Sequence, residues 1–391
     1  LLRTLQAILT VACGALFVAS NALAQTSGAA KTTRISPTRA RRVMTSRPHF
    51  TNPLTEQRAL IEGSAATELE ARGIIEVKGP DRLDWLHSLL SQNLKNLTPG
   101  QSAEALLLDP QGHIEQVIHF VDDSESAWLI VENQTKDALL DWLNRMIFRM
   151  RVEVLDRSED FVVFGHFGAG LASAAISNGA ALVWNDPWPG VVSGGVRYSR
   201  AWPAKWPYSE SLVAKADADK ATAEFSQAGT SALEALRIAA HRPRHLFEVD
   251  DRSLPHELDW MSTAVHMSKG CYRGQETVAK VHNLGHPPRR LVFLHLDGSG
   301  HELPDSGDEV FYAPEGVEPK VVGKVTSVGQ HYEMGPIALA VISRSTPIET
   351  ELIVHSKVGD IRASQEVIVP PDAGKAVDRP KLPKLLMGGK H

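Results

Sequence analysis

The chain has 391 residues, of which 43% are hydrophobic and 22% are charged, and its formal net charge is −5. This composition is typical of a globular protein with two or more domains, and a general binder of DNA or RNA would be basic overall. Arginine pairs such as Arg242 and Arg244 are therefore expected to be solvated or ion-paired. The two cysteines, Cys13 and Cys271, are too few for a disulfide framework or a protein-only iron–sulfur site.

The N-terminal segment has two interpretations. Residues 1–24 resemble a secretory signal, with Arg3, an apolar stretch and a small-residue ending at Ala24. This segment is too short to predict a membrane span. The first methionine is Met44, which would serve as a start. We expect residues 1–55 to lie outside the fold and the protein to be cytoplasmic, with secretion as the alternative if the signal is real.

The region from 56 to 286 interleaves strand-like runs with helices, which predicts an α+β domain with an antiparallel sheet. The turn Asp109-Pro110-Gln111-Gly112 is a tight hairpin signal between two of the strands. Residues 184–208 are rich in Trp, Pro and Gly and predict a loop held by aromatic side chains, with a wall for a planar ligand as the alternative. The predicted strands are 73–77, 103–108, 113–121, 127–131, 152–155 and 161–164. The predicted helices begin at Asp81, at Asn133 or Thr135, and at Ala221, and the last runs to Ala240.

The pattern changes after Pro288. Short β-rich runs at regular spacing predict a small β-barrel, with a sandwich as the alternative. The runs are 291–296, 308–312, 321–328, 338–342 and 351–355. The predicted organisation is a leader over 1–55, an α+β domain over 56–286, a C-terminal barrel over 287–371 and a disordered tail over 372–391.

The run from Ser268 to Glu276 reads SKGCYRGQE and carries a mixture of chemistry that folding alone does not require. If the run is extended, Lys269, Cys271 and Arg273 share one face because side chains alternate along a strand. Two cations beside a thiol would favour the thiolate over an ordinary cysteine of pKa about 8.5. The alternative is a turn with a structural cysteine.

A helix over 275–281 is expected to follow Gly274 and to end near Gly285. Its first-turn N–H groups would then lie beside Cys271. Such a helix end favours anions, and it would also lower the pKa of the thiol.

These residues resemble the K-G-C-Y-x-G-Q-E signature of the YgfZ-type folate-binding proteins, relatives of the glycine-cleavage aminomethyltransferase, or T-protein. The resemblance covers about residues 55–370 and includes the flanking runs 235–240, 254–257 and 287–292. It implies binding of tetrahydrofolate or another reduced folate, and support for the assembly or repair of Fe–S enzymes, including enzymes that modify tRNA. The implied partners are these client enzymes or assembly proteins, and no membrane partner is expected.

The resemblance also implies the site residues. Cys271 and Lys269 would be the reactive pair, and Arg237, in a stretch similar to the folate-site arginine of T-proteins, would hold folate through its charged fork. The remaining implied folate contacts are Lys269, Gly270, Tyr272, Gly274, Gln275 and Glu276. A metal site at His282 and His286 is not expected, because Gly285 and Pro287 break the helix that would align them.

One departure limits what the resemblance implies about catalysis. T-proteins carry a catalytic Asp shortly after the glycine that corresponds to Gly112, whereas residues 113–117 here read HIEQV. Glu115 is the nearest acid, and alternation places it on the opposite strand face from Gln116. Whether the protein is an enzyme stays open. The alternatives to Fe–S support are a folate-dependent aminomethyltransferase that uses Glu115, and a non-catalytic folate-binding module.

Overall fold

The structure is a computed structural model that describes residues 47–374 except 169, 201, 204, 205, 300–302, 315 and 358. The expectations for the signal segment, for Met44 and for residues 375–391 of the predicted 372–391 tail lie outside the described residues. Residues 47–55, which were expected to lie outside the fold, belong to it: Pro53 begins a helix, and the N–H groups of Thr230 and Ser231 donate to the carbonyls of Arg47 and Pro48. None of the helices in the described ranges is long and apolar enough to cross a membrane.

The chain alternates short helices with many strands. The helices are α1 (Pro53–Ile61), α2 (Arg82–Leu89), α3 (Asn133–Met146), α4 (Ala218–Glu224), α5 (Thr230–Ala239), α6 (His245–Glu248) and α7 (Gln275–Leu284). The strands are β1 (Ala65–Glu68), β2 (Arg72–Lys78), β3 (Ser102–Leu108), β4 (Ile114–Asp122), β5 (Ser126–Glu132), β6 (Glu153–Asp156), β7 (Phe161–Phe167), β8 (Ile176–Ser177), β9 (Ala180–Ala181), β10 (Val183–Asn185), β11 (Tyr208–Ala214), β12 (Ser226–Gln227), β13 (Arg289–Leu296), β14 (Glu309–Tyr312), β15 (Lys320–His331), β16 (Gly335–Ser343), β17 (Glu351–Ser356) and β18 (Gly359–Val367).

Two five-stranded sheets form the first part of the fold. Their strand orders are β10-β11-β7-β1-β12 and β3-β4-β5-β2-β6. All neighbours pair antiparallel except β1 and β12, which are parallel. The predicted α+β class is therefore confirmed, with two sheets where the sequence predicted one.

Apolar side chains from both sheets meet in one core cluster. Ile74 and Ile130 of the second sheet pack there with Val163 and Leu212 of the first, and Leu236 of α5 joins them. The opposite face of the second sheet is covered by α2 and α3 in a separate cluster. The second sheet is consequently buried on both faces, so its strands are almost continuously apolar.

The predicted C-terminal barrel is confirmed as a closed barrel of order β13-β16-β15-β14-β17-β18. Alternation along β13 sends Leu291 and Phe293 outward against the rest of the protein and Val292 and Leu294 into the barrel interior. The sequence predicted five of the six strands. It missed β18, whose sequence GDIRASQEV is largely polar and exposed.

The single helix predicted over 221–240 is wrong. The chain leaves α4 at Phe225, whose backbone is extended, and enters α5 after Gly229. A Cβ at Gly229 would lie 2.3 Å from the carbonyl oxygen of Pro48, so the N-terminal segment packs against the break. The interruption depends on a contact with a distant part of the chain, which local helical spacing does not encode.

Candidate functional site

A small cavity lies where the two five-stranded sheets, α5 and residues 242–245 meet. Its volume is ≈ 50 Å³, well below the ~300–1,000 Å³ of typical ligand pockets. Most of its wall is charged or aromatic. The charged and titratable side chains of the wall are Arg72, Glu104, His119, Glu132, Asp186, Tyr208, Glu210, Glu234, Arg237, Arg242, Arg244 and His245.

A continuous chain of buried ion pairs crosses one wall of the cavity. Glu210 accepts from His119 Nδ1 at 2.9 Å and from Arg72 Nη2 at 2.5 Å. Arg72 and Arg244 both bind Glu132, at 3.0 and 2.7 Å. Burial alone would raise the pKa of Glu132, but the guanidinium groups of Arg244 and Arg72 outweigh it and hold the pKa at about 2. Burial would likewise raise the pKa of Glu210, but the guanidinium of Arg72 lowers it, so both carboxylates of this wall are ionised near neutral pH.

The same chain continues through Arg237, the residue expected to hold folate. Glu234 accepts from Arg244 Nη1 at 2.6 Å and from Arg237 Nε at 2.7 Å. Arg237 Nη1 donates to Glu248 at 3.1 Å, and its Nη2 donates to Ser327 Oγ in β15 at 2.7 Å. Arg237 thus lies at the cavity, but each of its nitrogens already binds protein. In this structure Arg237 connects α5 and α6 to strand β15 of the barrel through these hydrogen bonds.

A second buried cluster surrounds Arg242 on another wall. Its Nη2 donates to Glu104 at 2.6 Å and its Nε to Asp186 at 2.9 Å. Trp260 Nε1 and Thr263 Oγ1 also donate to Glu104, at 3.0 and 2.6 Å. Burial raises the pKa of Asp186, and Arg242 acts in the opposite direction.

Three buried nitrogens on these walls have no hydrogen-bond partner. They are Nη1 of Arg242, Nε of Arg72 and Nδ1 of His245, and all three residues line the cavity. Buried polar groups in folded proteins are nearly always bonded. The two guanidinium nitrogens are unused donors, and Nδ1 of the neutral His245 ring is a donor or an acceptor according to its tautomer. The cavity therefore suits a ligand that carries acceptor atoms for Arg72 and Arg242.

The aromatic segment 184–208 contributes to the same region. Trp184 stacks on His119 at 3.6 Å between ring centroids, with 5° between the ring planes. Trp206 lines the cavity and donates to Asp186 at 2.9 Å. Trp184, Trp188 and Trp206 are buried, so aromatic side chains hold this segment as the sequence predicted, although many of its other described residues are exposed or half-buried.

Residues 268–274 of the signature run form turns and bends, and Gln275 begins α7, so the expected common strand face of Lys269, Cys271 and Arg273 is not formed. Lys269 is 7% exposed and points into the protein. Its ammonium donates to the backbone carbonyls of His87, Leu90 and Gln92, at the C-terminal end of α2.

Burial and the nearby Lys95 lower the pKa of Lys269 to about 7. The three carbonyl acceptors favour the charged form, because only the ammonium carries three N–H donors. Cations also interact favourably with a helix C-terminus. Lys269 is thus placed to fasten the signature loop to α2, and its ammonium is turned away from the exposed thiol.

Cys271 lies on the surface with its thiol free. The neighbouring Arg273 binds Glu115 through both oxygens, at 2.6 and 3.2 Å. Its guanidinium also lies 5.7 Å from the ring centroid of Trp142. The cation expected to accompany the thiol is therefore already paired with a carboxylate.

The N-terminus of α7, expected to be an anion site, packs against the β3–β4 hairpin. Gly274 has φ 81° and precedes the helix. A Cβ on Gly274 would lie 2.5 Å from the carbonyl oxygen of Asp109 and 3.0 Å from Gly112 Cα. The N–H of Gln275 donates to the carbonyl of Tyr272 at 3.3 Å. Protein backbone thus occupies one side of this helix end.

The remaining signature residues are spread over different environments. Gly270 and Glu276 are exposed, Gln275 is half-buried, and Tyr272 is buried in a core cluster. No residue of the described run 268–276 lines the cavity that Arg237 lines. The structure thus separates the predicted site into two parts: the central cavity and a surface loop that carries Cys271.

The sequence reasoning missed most of the cavity's charged wall. Arg242 and Arg244 were recognised as a pair, and the structure gives them carboxylate partners. Glu210 and His119 carried no local signal, because each lies in a strand that mixes polar and apolar residues. Ion pairs between residues 91 positions apart depend on the tertiary fold.

The GCVT N-terminal domain family matches residues 22–172 of this chain, a range that begins before the described residues. Among curated proteins, the chain is 27% identical to an aminomethyltransferase of Rippkaea orientalis over 332 residues, 78% of this chain and 86% of that protein. It is 26% identical to a mitochondrial iron–sulfur cluster assembly factor IBA57 homolog of Mycosarcoma maydis over 260 residues, 61% of this chain and 59% of that protein.

Among solved structures, the glycine cleavage system aminomethyltransferase T from Bartonella henselae has a similar fold. Its TM-score is 0.62 at 18% identity, and the match covers 86% of this chain and 96% of that one. The protein therefore has the aminomethyltransferase-like fold and is related to the GCVT-domain family.

Proposed function

We propose that this protein binds a reduced folate in the central cavity and supports the assembly or repair of Fe–S cluster enzymes, including tRNA-modifying ones. The signature run at 268–276 and the similarity to a protein named as an iron–sulfur cluster assembly factor support this proposal. The observation that carries the folate part is the pair of unpartnered guanidinium donors on Arg72 and Arg242, together with the unpartnered Nδ1 of His245.

The donor chemistry of the cavity fits folate, since a pterin presents ring nitrogens and a carbonyl oxygen that accept hydrogen bonds. The volume of ≈ 50 Å³ does not admit the ring system as the side chains stand. Entry requires side chains of the wall to move. A movement of Arg72 would have to break its ion pairs with Glu132 and Glu210.

Bound tetrahydrofolate would supply a carrier for a one-carbon unit. The residues of this chain would bind and orient it. The unused Nη1 of Arg242 would donate to an acceptor atom of the ligand, while Glu104 and Asp186 hold that guanidinium in place. The buried wall would exclude water, and the exposed Cys271 would remain available to a protein partner.

The location of Lys269 changes one part of the proposal. A reactive Lys-Cys pair requires both groups to face the same reactant, whereas the ammonium of Lys269 binds three backbone carbonyls inside the protein. We therefore assign reactivity to Cys271 and a positioning role to Lys269.

A folate-dependent aminomethyltransferase is the second candidate, and one observation favours it. Glu115 occupies the same face of β4 as Val117 and His119, which line the cavity. Its carboxylate is 39% exposed and is paired with Arg273. An acid so held at the surface would have to leave Arg273 before it could serve as a proton donor or acceptor in the cavity.

Two measurements test the proposal. In a strain that lacks the protein, the wild type should restore the activity of Fe–S enzymes, and Cys271→Ser should not, although it folds. The purified protein should show no aminomethyl transfer in a reconstituted glycine-cleavage assay. Transfer that is lost in Glu115→Gln would support the second candidate instead. Full complementation by Cys271→Ser would favour a non-catalytic folate-binding module.

A further inference from the structure

A further polar cluster, centred on Arg290, lies at one end of the barrel, and none of its residues lines the central cavity. Arg290 precedes Val292 and Leu294 on the strand face that enters the barrel interior. Its exposure is 0%, which places it among the largest fully buried side chains of the described residues. A charged side chain sealed in this way normally has a carboxylate partner.

Arg290 has no such partner among the described residues. Its Nη2 donates to the carbonyl oxygen of Thr346 at 3.0 Å and to Gln365 Oε1 at 2.9 Å. Its Nε and Nη1 are buried and make no hydrogen bond. By contrast, the buried Arg237 and Arg242 each bind two carboxylates.

The residues around Arg290 include an unpartnered hydroxyl and a second arginine. Thr346 Oγ1 is buried without a partner, and Thr346 lines an open cavity of ≈ 480 Å³ formed by residues 344–349 and Pro371. Arg344 forms part of the same wall and donates to the carbonyl of Pro371 at 3.2 Å. Arg290 does not line this cavity, but it binds the backbone carbonyl of Thr346, which does.

The neighbouring charges do not neutralise Arg290. Burial lowers its pKa to about 10, and the positive charge of Arg200 acts in the same direction. The two acids nearby are exposed: Glu349 is in the cavity wall, and Asp372 lies 4.0 Å from Arg200. The cluster thus combines an uncompensated buried guanidinium with additional cations and an adjacent space.

We propose that this barrel-end cluster, made of Arg200, Arg290, Arg344 and Thr346, binds a small oxyanion of the phosphate type. The unused Nε and Nη1 of Arg290 lie on different sides of its planar guanidinium, because Cδ stands between them, so the anion would accept from one of these two donors. Thr346 Oγ1 would donate to another oxygen. The segment that carries Thr346 must shift to admit the anion, because these atoms are sealed from water. The site is independent of the proposed folate cavity.

The test is thermal unfolding of the full chain with increasing inorganic phosphate, at an ionic strength held constant with sodium chloride. Binding to the folded state raises Tm with ligand concentration, so the wild type should show a saturable rise. Arg290→Met should abolish the rise. Arg362→Gln, which alters an exposed barrel arginine paired with Glu351, should keep it. No rise beyond that in chloride, or the same rise in Arg290→Met, would overturn the proposal.

A second variant covers the case in which Arg290→Met does not fold. Thr346→Val should weaken phosphate binding at least several-fold, measured by broadening of the phosphorus NMR line of the free anion. If Thr346→Val broadens the phosphorus line of the free anion as much as the wild type does, the proposed site is wrong. Glycerol phosphate serves as a second probe. Tighter binding of glycerol phosphate than of inorganic phosphate would assign the site to a phosphorylated metabolite, and equal binding would assign it to the free ion.

Discussion

Replacement of Lys269 by Met separates a positioning role from a reactive one. The ammonium donates to the carbonyls of His87, Leu90 and Gln92 and fastens the signature loop to the end of α2. Methionine keeps an unbranched apolar chain of similar length and provides no donor. The three carbonyls then lose this partner in a place where Lys269 is 7% exposed.

The cost follows from the bonds that are lost. A hydrogen bond to a charged group contributes about 1.5–3 kcal/mol, and three bonds that share one group are not additive. The variant no longer buries a charged ammonium, and the desolvation cost that it avoids offsets part of the loss. We expect Lys269→Met to lower the free energy of unfolding by about 3 kcal/mol. With an unfolding entropy of about 2.1 cal/mol/K per residue, this corresponds to roughly 4 °C in Tm for a fold of this size.

Urea unfolding followed by tryptophan fluorescence would measure the change. Lys95→Met is the matched control, because Lys95 is a neighbouring lysine whose side chain is 50% exposed and paired with Asp84. The control should change stability by no more than about 0.5 kcal/mol. If Lys269→Met is as stable as the control while Fe–S enzyme support is lost, the ammonium is reactive and the positioning role is wrong.

Three further predictions concern the charged wall and the thiol. Glu132 has a pKa of about 2 in the fold against 4.5 ordinarily, so its stabilisation is present above pH 4.5 and is lost as pH falls toward 2. This loss, on the order of 3 kcal/mol, should be smaller in Glu132→Gln during urea unfolding at graded pH. Arg237→Met should cost about 3–5 kcal/mol in the same assay, because it leaves buried carboxylates unpaired; a cost below about 1 kcal/mol would contradict the clamp role. Cys271 should react with maleimide in the native protein, and Cys271→Ser should unfold within about 0.5 kcal/mol of the wild type; a protected thiol would contradict its exposure.

The sequence predicted the parts of the fold whose signals are local. The hairpin at Asp109–Gly112, the start of α3 near Asn133 and the spacing of the barrel runs each depend on neighbouring residues. The break at Phe225 to Gly229 could not be predicted in this way, because Gly229 packs against Pro48. The polar strand β18 was missed because it pairs through backbone groups and buries few side chains.

The candidate site was also predicted only in part, because its side-chain directions depend on the tertiary fold. The residue types of the signature run are visible in the sequence, whereas their directions are not. Lys269 turns inward because carbonyls some 180 positions away attract its ammonium. Arg237, which the sequence predicted as a folate contact, lies in the cavity wall, and its contact with folate stays a prediction. Its partners Glu234 and Glu248 emerge only when α5, α6 and the barrel are packed together.

Titration calorimetry with anaerobic tetrahydrofolate tests the central claim most directly. The cavity wall includes Val117, while no described residue of the signature run contributes to it. We therefore predict that wild type and Cys271→Ser bind folate with equal affinity. Val117→Phe fills the cavity at a cost of about 1–3 kcal/mol and should abolish the heat while the protein stays folded. Folate binding that survives in Val117→Phe but disappears in Cys271→Ser would place the ligand at the surface loop and contradict the account, as would the absence of any binding to the wild type.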